Sequence, residues 1–182
     1  MPFVHPAFTW TIPVSLSALY TIGLQQSNIR RIQRALSNAV MKEIRSKHVP
    51  RMKRLMPRVK GYTAQSIRVR TQPPAGSRAR VQLYCSEQAP YAGFIEWQLP
   101  RIGPLRADTM QEFFRRYIDE HGREIRKSPQ VRAVVEQAVQ REAAMSRPFP
   151  ERRIGRGGFL YRLTSGSFLR AVRWAVDLIF SD

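Results

Sequence analysis

Hydrophobic and polar positions alternate strictly near the start of the chain. Phe8, Trp10, Ile12, Val14 and Leu16 fall on one side, and Thr9, Thr11, Pro13 and Ser15 on the other. Period two over this length predicts a half-buried strand. Pro13 belongs to the polar set and has no N–H, so the strand is expected at a sheet edge. An uncharged, aromatic-rich edge strand invites pairing, and another subunit or the rest of the domain has to cover it. The period then changes. Ile29, Ile32, Leu36, Val40 and Ile44 recur at helical spacing, with Ser27 or Asn28 as the expected cap. The opposite face carries Arg30, Arg31, Arg34, Lys42 and Arg45. Pro50 is expected to kink or end this helix, because its ring clashes with the preceding turn. A basic turn over 51–56 leads to Pro57 and Gly61.

Alternation returns in residues 66–71 and 79–85, separated by a Pro-Gly turn over 73–78. Ile67, Val69, Val81, Leu83 and Cys85 face inward, whereas Arg68, Arg70, Arg80 and Tyr84 face outward. Three arginines are thus expected to converge on one sheet face. Like charges directly opposite cost about 0.2–1 kcal/mol per pair, which an external anion or acidic neighbour would relieve. The competing reading is that these side chains splay into water. Further on, Asp108 with Gln111 resembles a capping box. Met110, Phe113, Phe114, Tyr117, Ile118 and Ile125 follow as an apolar helical stripe, read as core. Ser128-Pro129 restarts a helix with Val131, Val134, Val135, Ala138 and Val139 apolar. A basic, glycine-rich loop over 148–158 precedes a short strand at 159–163. Ser167 is the expected cap of a last helix carrying Phe168, Leu169, Val172, Ala175, Val176 and Ile179.

The resulting expectation is an α+β protein. A small antiparallel sheet, a hairpin plus edge strands, packs against a long N-terminal helix and a C-terminal helix. Residues 1–28 form an uncharged extended arm, and 29–182 a single domain with a helical insertion at about 106–147. At 182 residues with 43% apolar content, the chain is long enough for one substantial core.

Charge alters the picture more than composition does. The net charge is +18, and residues 1–29 contain no Asp, Glu, Lys or Arg. Residues 30–70 hold thirteen basic residues against the single acid Glu43. Such a block repels itself and favours a polyanion or an acidic protein surface nearby. The bland alternative is a solvated helix face.

Candidate chemistry is sparse. Cys85 is the only cysteine, read as a small buried residue, so no internal disulfide is possible. His5, His48 and His121 are far apart in sequence, and none has a second ligand at metal spacing. No GxxxxGK[ST], HExxH or GxSxG is present. The glycines Gly155, Gly157 and Gly158 around Arg156 do not follow a convincing strand, and an ordinary loop is the preferred reading. Glu96 lies among Tyr91, Phe94 and Trp97 without a visible acid partner, and pairing with an arginine is preferred over general-base work. Only an unexpected convergence of Asp and Glu in the fold, for instance Asp108 with Glu112 and Glu96, would revive a nuclease or other enzyme reading. No enzyme, metal or cofactor is expected. The N-terminus lacks a basic n-region, and no uncharged apolar run reaches the roughly 20 residues of a membrane span. A soluble protein, cytoplasmic at synthesis, is expected.

Several short motifs recur together. Pro57, Gly61, Ser66 and Ile67 make a P-x-x-x-G-x-x-x-x-S-I element. Tyr91, Ala92, Phe94, Ile95 and Glu96 make Y-A-x-F-I-E, and Phe168, Leu169 and Ala171 open the last helix. Over residues 29–98 and 159–180 this set resembles the tail-completion and head–tail joining (neck) proteins of tailed bacteriophages. Gln98 departs from the glycine that family usually has two residues after the glutamate.

The resemblance implies a structural virion subunit without turnover, forming a homo-oligomeric ring, hexamer or dodecamer, that joins or completes the head–tail interface. Its partners would be copies of itself, portal-connector, adaptor and tail-tube proteins, and the double-stranded viral DNA in the channel, with no membrane. It would reside in the virion neck, and in the host cytoplasm during assembly. The alternative is a stand-alone basic nucleic-acid-binding protein. Candidate contacts to DNA or an acidic partner are Arg30, Arg31, Arg34, Arg68, Arg70 and Arg80. Candidate interface residues are Phe8, Trp10, Ile12, Tyr91, Phe94, Glu96 and Trp97.

Overall fold

Three antiparallel strands form a sheet of order β1-β3-β2, and the computed structural model describes residues 6–56, 62–86, 109–146 and 165–181. Strand β1 spans Ala7–Pro13, β2 Ile67–Ala75 and β3 Arg78–Cys85. Before the hairpin come α1 (Leu16–Thr21), α2 (Gln26–Glu43), a π-helical turn (Ile44–His48), α3 (Val49–Leu55) and α4 (Tyr62–Ser66). After it come α5 (Met110–Arg126), α6 (Pro129–Met145) and α7 (Ser165–Phe180). The protein is α+β, with the helices dominating and the sheet small.

Register decides which side of the sheet each residue occupies. Phe8 pairs with Leu83 and Leu83 with Val69; Trp10 pairs with Val81, and Ile12 with Ala79. These residues share the inner face with Ile67 and Cys85. Helix α2 packs on β2 and β3, and α5 packs on β1. Each brings an apolar stripe at helical spacing: Ile29, Ile32, Leu36 and Val40 from α2, and Phe113, Phe114, Tyr117 and Ile118 from α5, all buried. Fully burying one such side chain contributes about 1.5–3 kcal/mol. Helix α6 lies against α2, while α7 makes its main contacts with α6 and α1. Val172, Ala175, Val176, Ile179 and Phe180 carry α7 into the core.

The hairpin is tighter than the Pro-Gly turn expected from sequence. Strand β2 continues through Pro73 and Pro74, and only Gly76 and Ser77 lie between the strands. Gly76 has φ +54°, which side chains with a Cβ rarely adopt. The register shifts between Gln72 and Ala75, and a proline loses little at a bulge because ladder bonding is already interrupted there. At this irregularity α2 supplies bonds: Ser37 Oγ accepts from Arg80 N at 3.2 Å, and Gln33 Nε2 donates to Gly76 O at 3.0 Å. Two polar residues on the buried face of α2 are thereby accounted for.

Other expectations are corrected. The described part of segment 1–28 is not an extended arm. Residues 7–13 are a strand of the sheet and 16–21 a helix, because Ile12, Val14, Ala18 and Leu19 bury in the common core. Neither Ser27 nor Asn28 caps α2: the helix starts at Gln26 behind Gln25, and the Asn28 amide is used elsewhere. Pro50 does not end the helical path, which passes through the π-helical turn into α3 with proline in the first turn. There the missing N–H is no loss, and the widened turn before it accommodates the ring. Thr109 caps α5, its Oγ1 accepting from Glu112 N at 3.1 Å. The last helix starts at Ser165, ahead of Ser167. Val134 and Leu169, among the apolar residues noted in these helices, are exposed on the outer faces of α6 and α7.

Candidate functional site

The outer sheet face collects the even-numbered residues of β2 and β3 and the odd-numbered residues of β1. Arg68 lies opposite Tyr84, Arg70 opposite Gln82, and Gln72 opposite Arg80. Ala7, Thr9, Thr11 and Pro13 extend this face across β1. Arg68, Arg70 and Arg80 therefore do share one surface, joined by Arg78. No arginine stands directly opposite another, which corrects the expected like-charge pairs. The guanidinium groups of Arg68, Arg70 and Arg80 are instead held by neutral acceptors. Arg70 Nε donates to Gln82 Oε1 at 2.8 Å, and its Cζ lies 4.8 Å from the centre of the Tyr84 ring. Arg80 Nε donates to Pro73 O at 2.7 Å, and Arg68 Nη1 donates to Ile67 O at 3.0 Å and to Gln65 O.

The outer strands present their backbones in a defined way. Cys85 N bonds Pro6 O, and Val14 N bonds Ser77 O, on the same register as the β1–β3 ladder. Even residues of β1 therefore bond inward to β3, and Ala7, Thr9, Thr11 and Pro13 turn their backbone groups outward. Pro13 lacks its N–H at an outward position, where the sheet does not require it. On the other side Ser86 N bonds Ser66 O, which turns Ile67, Val69 and Thr71 outward along β2. Among the described residues both β1 and β2 are edge strands.

The proposed contacts of α2 lie apart from the arginine sheet face, because α2 covers the inner side of the sheet. Arg30, Arg31 and Arg34 are exposed. Arg31 Nη1 reaches Glu142 Oε2 at 3.3 Å, and Asn28 Nδ2 reaches the same oxygen at 2.9 Å, so this pair ties α2 to α6. Arg31, Arg34, Asn38, Arg141 and Glu142 line a groove of about 480 Å³ between those helices. A second groove, of about 430 Å³, runs between β1 and α5, floored by Trp10, Ile12, Ile118 and Gly122. Phe8, Trp10 and Ile12, offered as interface residues, serve the protein's own core. Ile12 is 1% exposed, and Phe8 and Trp10 are half-buried against the same cluster.

One cluster escaped the sequence reading altogether. His48 and His121, far apart along the chain, meet on Tyr117. His48 Nδ1 lies 3.0 Å from Tyr117 Oη, and the His121 ring centre is 4.5 Å from that of Tyr117 and 6.0 Å from that of His48. Tyr117 and His121 are one helical turn apart on α5, and the π-helical turn delivers His48 opposite them. Burial holds His48 below the usual histidine range, helped by the Arg51 guanidinium, and pushes Tyr117 up to about 12. His121 Nδ1 also approaches Glu124 Oε2 at 3.6 Å, and Arg51 Nη1 approaches Glu124 Oε1 at 3.5 Å. Nearby, burial raises the Glu43 carboxyl, but Lys47 Nζ at 2.7 Å and the adjacent Ser128 hydroxyl outweigh it, leaving Glu43 below the usual carboxylate range.

Tyr91, Phe94, Glu96 and Trp97 lie outside the described residues, as do Asp108, Pro57, Gly61, His5 and the loop over 148–158. Glu112 is engaged by Arg115 and Arg116. Among the described residues no three His, Cys, Asp or Glu side chains converge as a metal site, and no helix is long and apolar enough to cross a membrane. Comparison with protein-family models, with curated proteins and with solved structures returns no match.

Proposed function

We propose that this protein is a structural subunit of a tailed-bacteriophage neck, closing into a homo-oligomeric ring at the head–tail interface. The observation that carries the reading is the pair of sheet edges. Strands β1 and β2 are parallel to each other, each being antiparallel to β3, and they turn the backbone groups of Ala7, Thr9, Thr11 and Pro13, and of Ile67, Val69 and Thr71, outward. One copy's β1 edge can therefore continue the next copy's β2 edge in a head-to-tail contact. A contact of that kind closes into a ring when the rotation permits. The motif set in residues 57–67, 91–96 and 168–171 supports the same reading.

The test is light scattering and negative-stain imaging of the chain mixed with a tailed-phage portal connector. Rings on the connector are expected, and a chain that stays monomeric in that mixture overturns the proposal. A second reading, a stand-alone nucleic-acid-binding protein, is favoured by the +18 charge. Detection of the chain in purified particles separates the two, since only the neck reading places it there.

A further inference from the structure

We propose that the outer face of the β1-β3-β2 sheet, and not the basic face of α2, is the surface that grips the phosphate backbone of nucleic acid. This deepens the neck reading by naming the surface that meets DNA, and relies on that reading only for the source of the DNA. The three strands carry Arg68, Arg70, Arg78 and Arg80, and no Asp or Glu. The described ion pairs all join residues of the helical layer: Arg31 with Glu142, Arg51 with Glu124, Arg132 with Asp177, and Arg173 with Glu136 among them. Charge on the helices is thus partly neutralised within the molecule, whereas among the described residues no acid pairs with the arginines of the sheet face.

The guanidinium groups are also pre-ordered. Each of Arg68, Arg70 and Arg80 is fixed through neutral acceptors, and Arg70 is further fixed by its stacking on Tyr84. A guanidinium has five N–H donors, so these bonds leave several free to turn outward. Holding the side chains in place beforehand lowers the ordering cost when an anion binds. Arg68 and Arg70, like Arg78 and Arg80, are one two-residue step apart on a strand. That step is ~6.7 Å, about twice the 3.4 Å rise per nucleotide of one DNA strand.

The rest of the face argues for nucleic acid over an acidic protein. Among the described residues, Thr9, Thr11, Gln72 and Gln82 are polar, Ala7 and Pro13 are small, and the one aromatic ring, Tyr84, is covered by Arg70. Protein interfaces centre on apolar or aromatic anchors, which this surface lacks. With Tyr84 already stacked, the described residues of the face offer no platform for a base. It contacts the backbone and is indifferent to sequence.

The test is fluorescence anisotropy of the full chain with two labelled duplexes of unrelated sequence, titrated across NaCl concentrations. The variant R68Q/R70Q/R80Q is compared with the charge-matched control R115Q/R132Q/R173Q, and circular dichroism checks both folds. The parent should bind both duplexes alike. The sheet variant should flatten the slope of log affinity against log salt by about 0.9 per arginine removed, while the control keeps the parent slope. Should the triple variant unfold, Arg70→Gln alone is expected to flatten it by about 0.9. An unchanged slope in the sheet variant, an equal loss in the control, or competition by polyglutamate as effective as by DNA overturns the inference. A chain that forms rings on its connector yet keeps the parent slope in the sheet variant refutes this surface and leaves the neck reading standing. A flattened slope in a chain absent from particles does the reverse.

Discussion

Tyr117 and His48 share a hydrogen bond inside the core, and burial sets the sign of its pH dependence. The folded protein disfavours charged His48, so its pKa lies below the ordinary 6.5. The unfolded chain binds that proton first as pH falls, and stability present above pH 6.5 is lost on descending toward the folded pKa. Thermal melting at pH 7.5 and pH 5 should show this loss, and His48→Gln should remove most of it. Glu43 acts only lower down, below its ordinary 4.5. Gly122 is a second residue with a spatial reason. A Cβ there would stand 3.2 Å from Trp10 Cζ2 and 3.4 Å from Ile118 Cγ2. Gly122→Val should cost about 1–3 kcal/mol in denaturant unfolding, through displacement of Trp10.

Helix ends and sheet register belong to the element scale. Thr109→Ala removes the acceptor for Glu112 N, and about 1 kcal/mol of stability should go with it in chemical denaturation. Asp108 and Gln111 have the same chemistry at the wrong register, which spacing alone does not distinguish. The apolar stripes were legible because periodicity records burial directly: Ile29, Ile32, Leu36 and Val40 on α2, and Phe113, Phe114 and Tyr117 on α5, are all buried. Strand faces were legible for the same reason. The continuation of the helix past Pro50 was not, because a π-helical turn depends on what packs around it. The exposure of Val134 and Leu169 likewise depends on which helix lies beside α6 and α7.

At the scale of the whole molecule, assembly and charge are separable. Thr9 turns its N–H away from β3, so Thr9→Pro should leave the internal ladder intact while removing an outward donor from the β1 edge. Under the proposed ring, this variant should still unfold cooperatively but should fail to assemble with the connector in light scattering. Full assembly would place the subunit contact elsewhere. The slope measurement on R68Q/R70Q/R80Q addresses the face of the same sheet. Edge and face can thus be tested independently, because backbone groups lie in the sheet plane and side chains stand perpendicular to it.

Local order along the chain determined the α+β class, the inward set of each strand, the edge position of Pro13 and the outward arginines. Those features follow from period and from proline chemistry, which neighbouring residues alone decide. Tertiary structure decided the rest. It brought His48 to His121 across 73 positions, and drew β1 into the common sheet. It also gave acids to several helical arginines, among them Arg31, Arg51 and Arg132, while among the described residues none pairs with the strand arginines. Partners distant in sequence meet only when the core closes, and no spacing rule records which ones do.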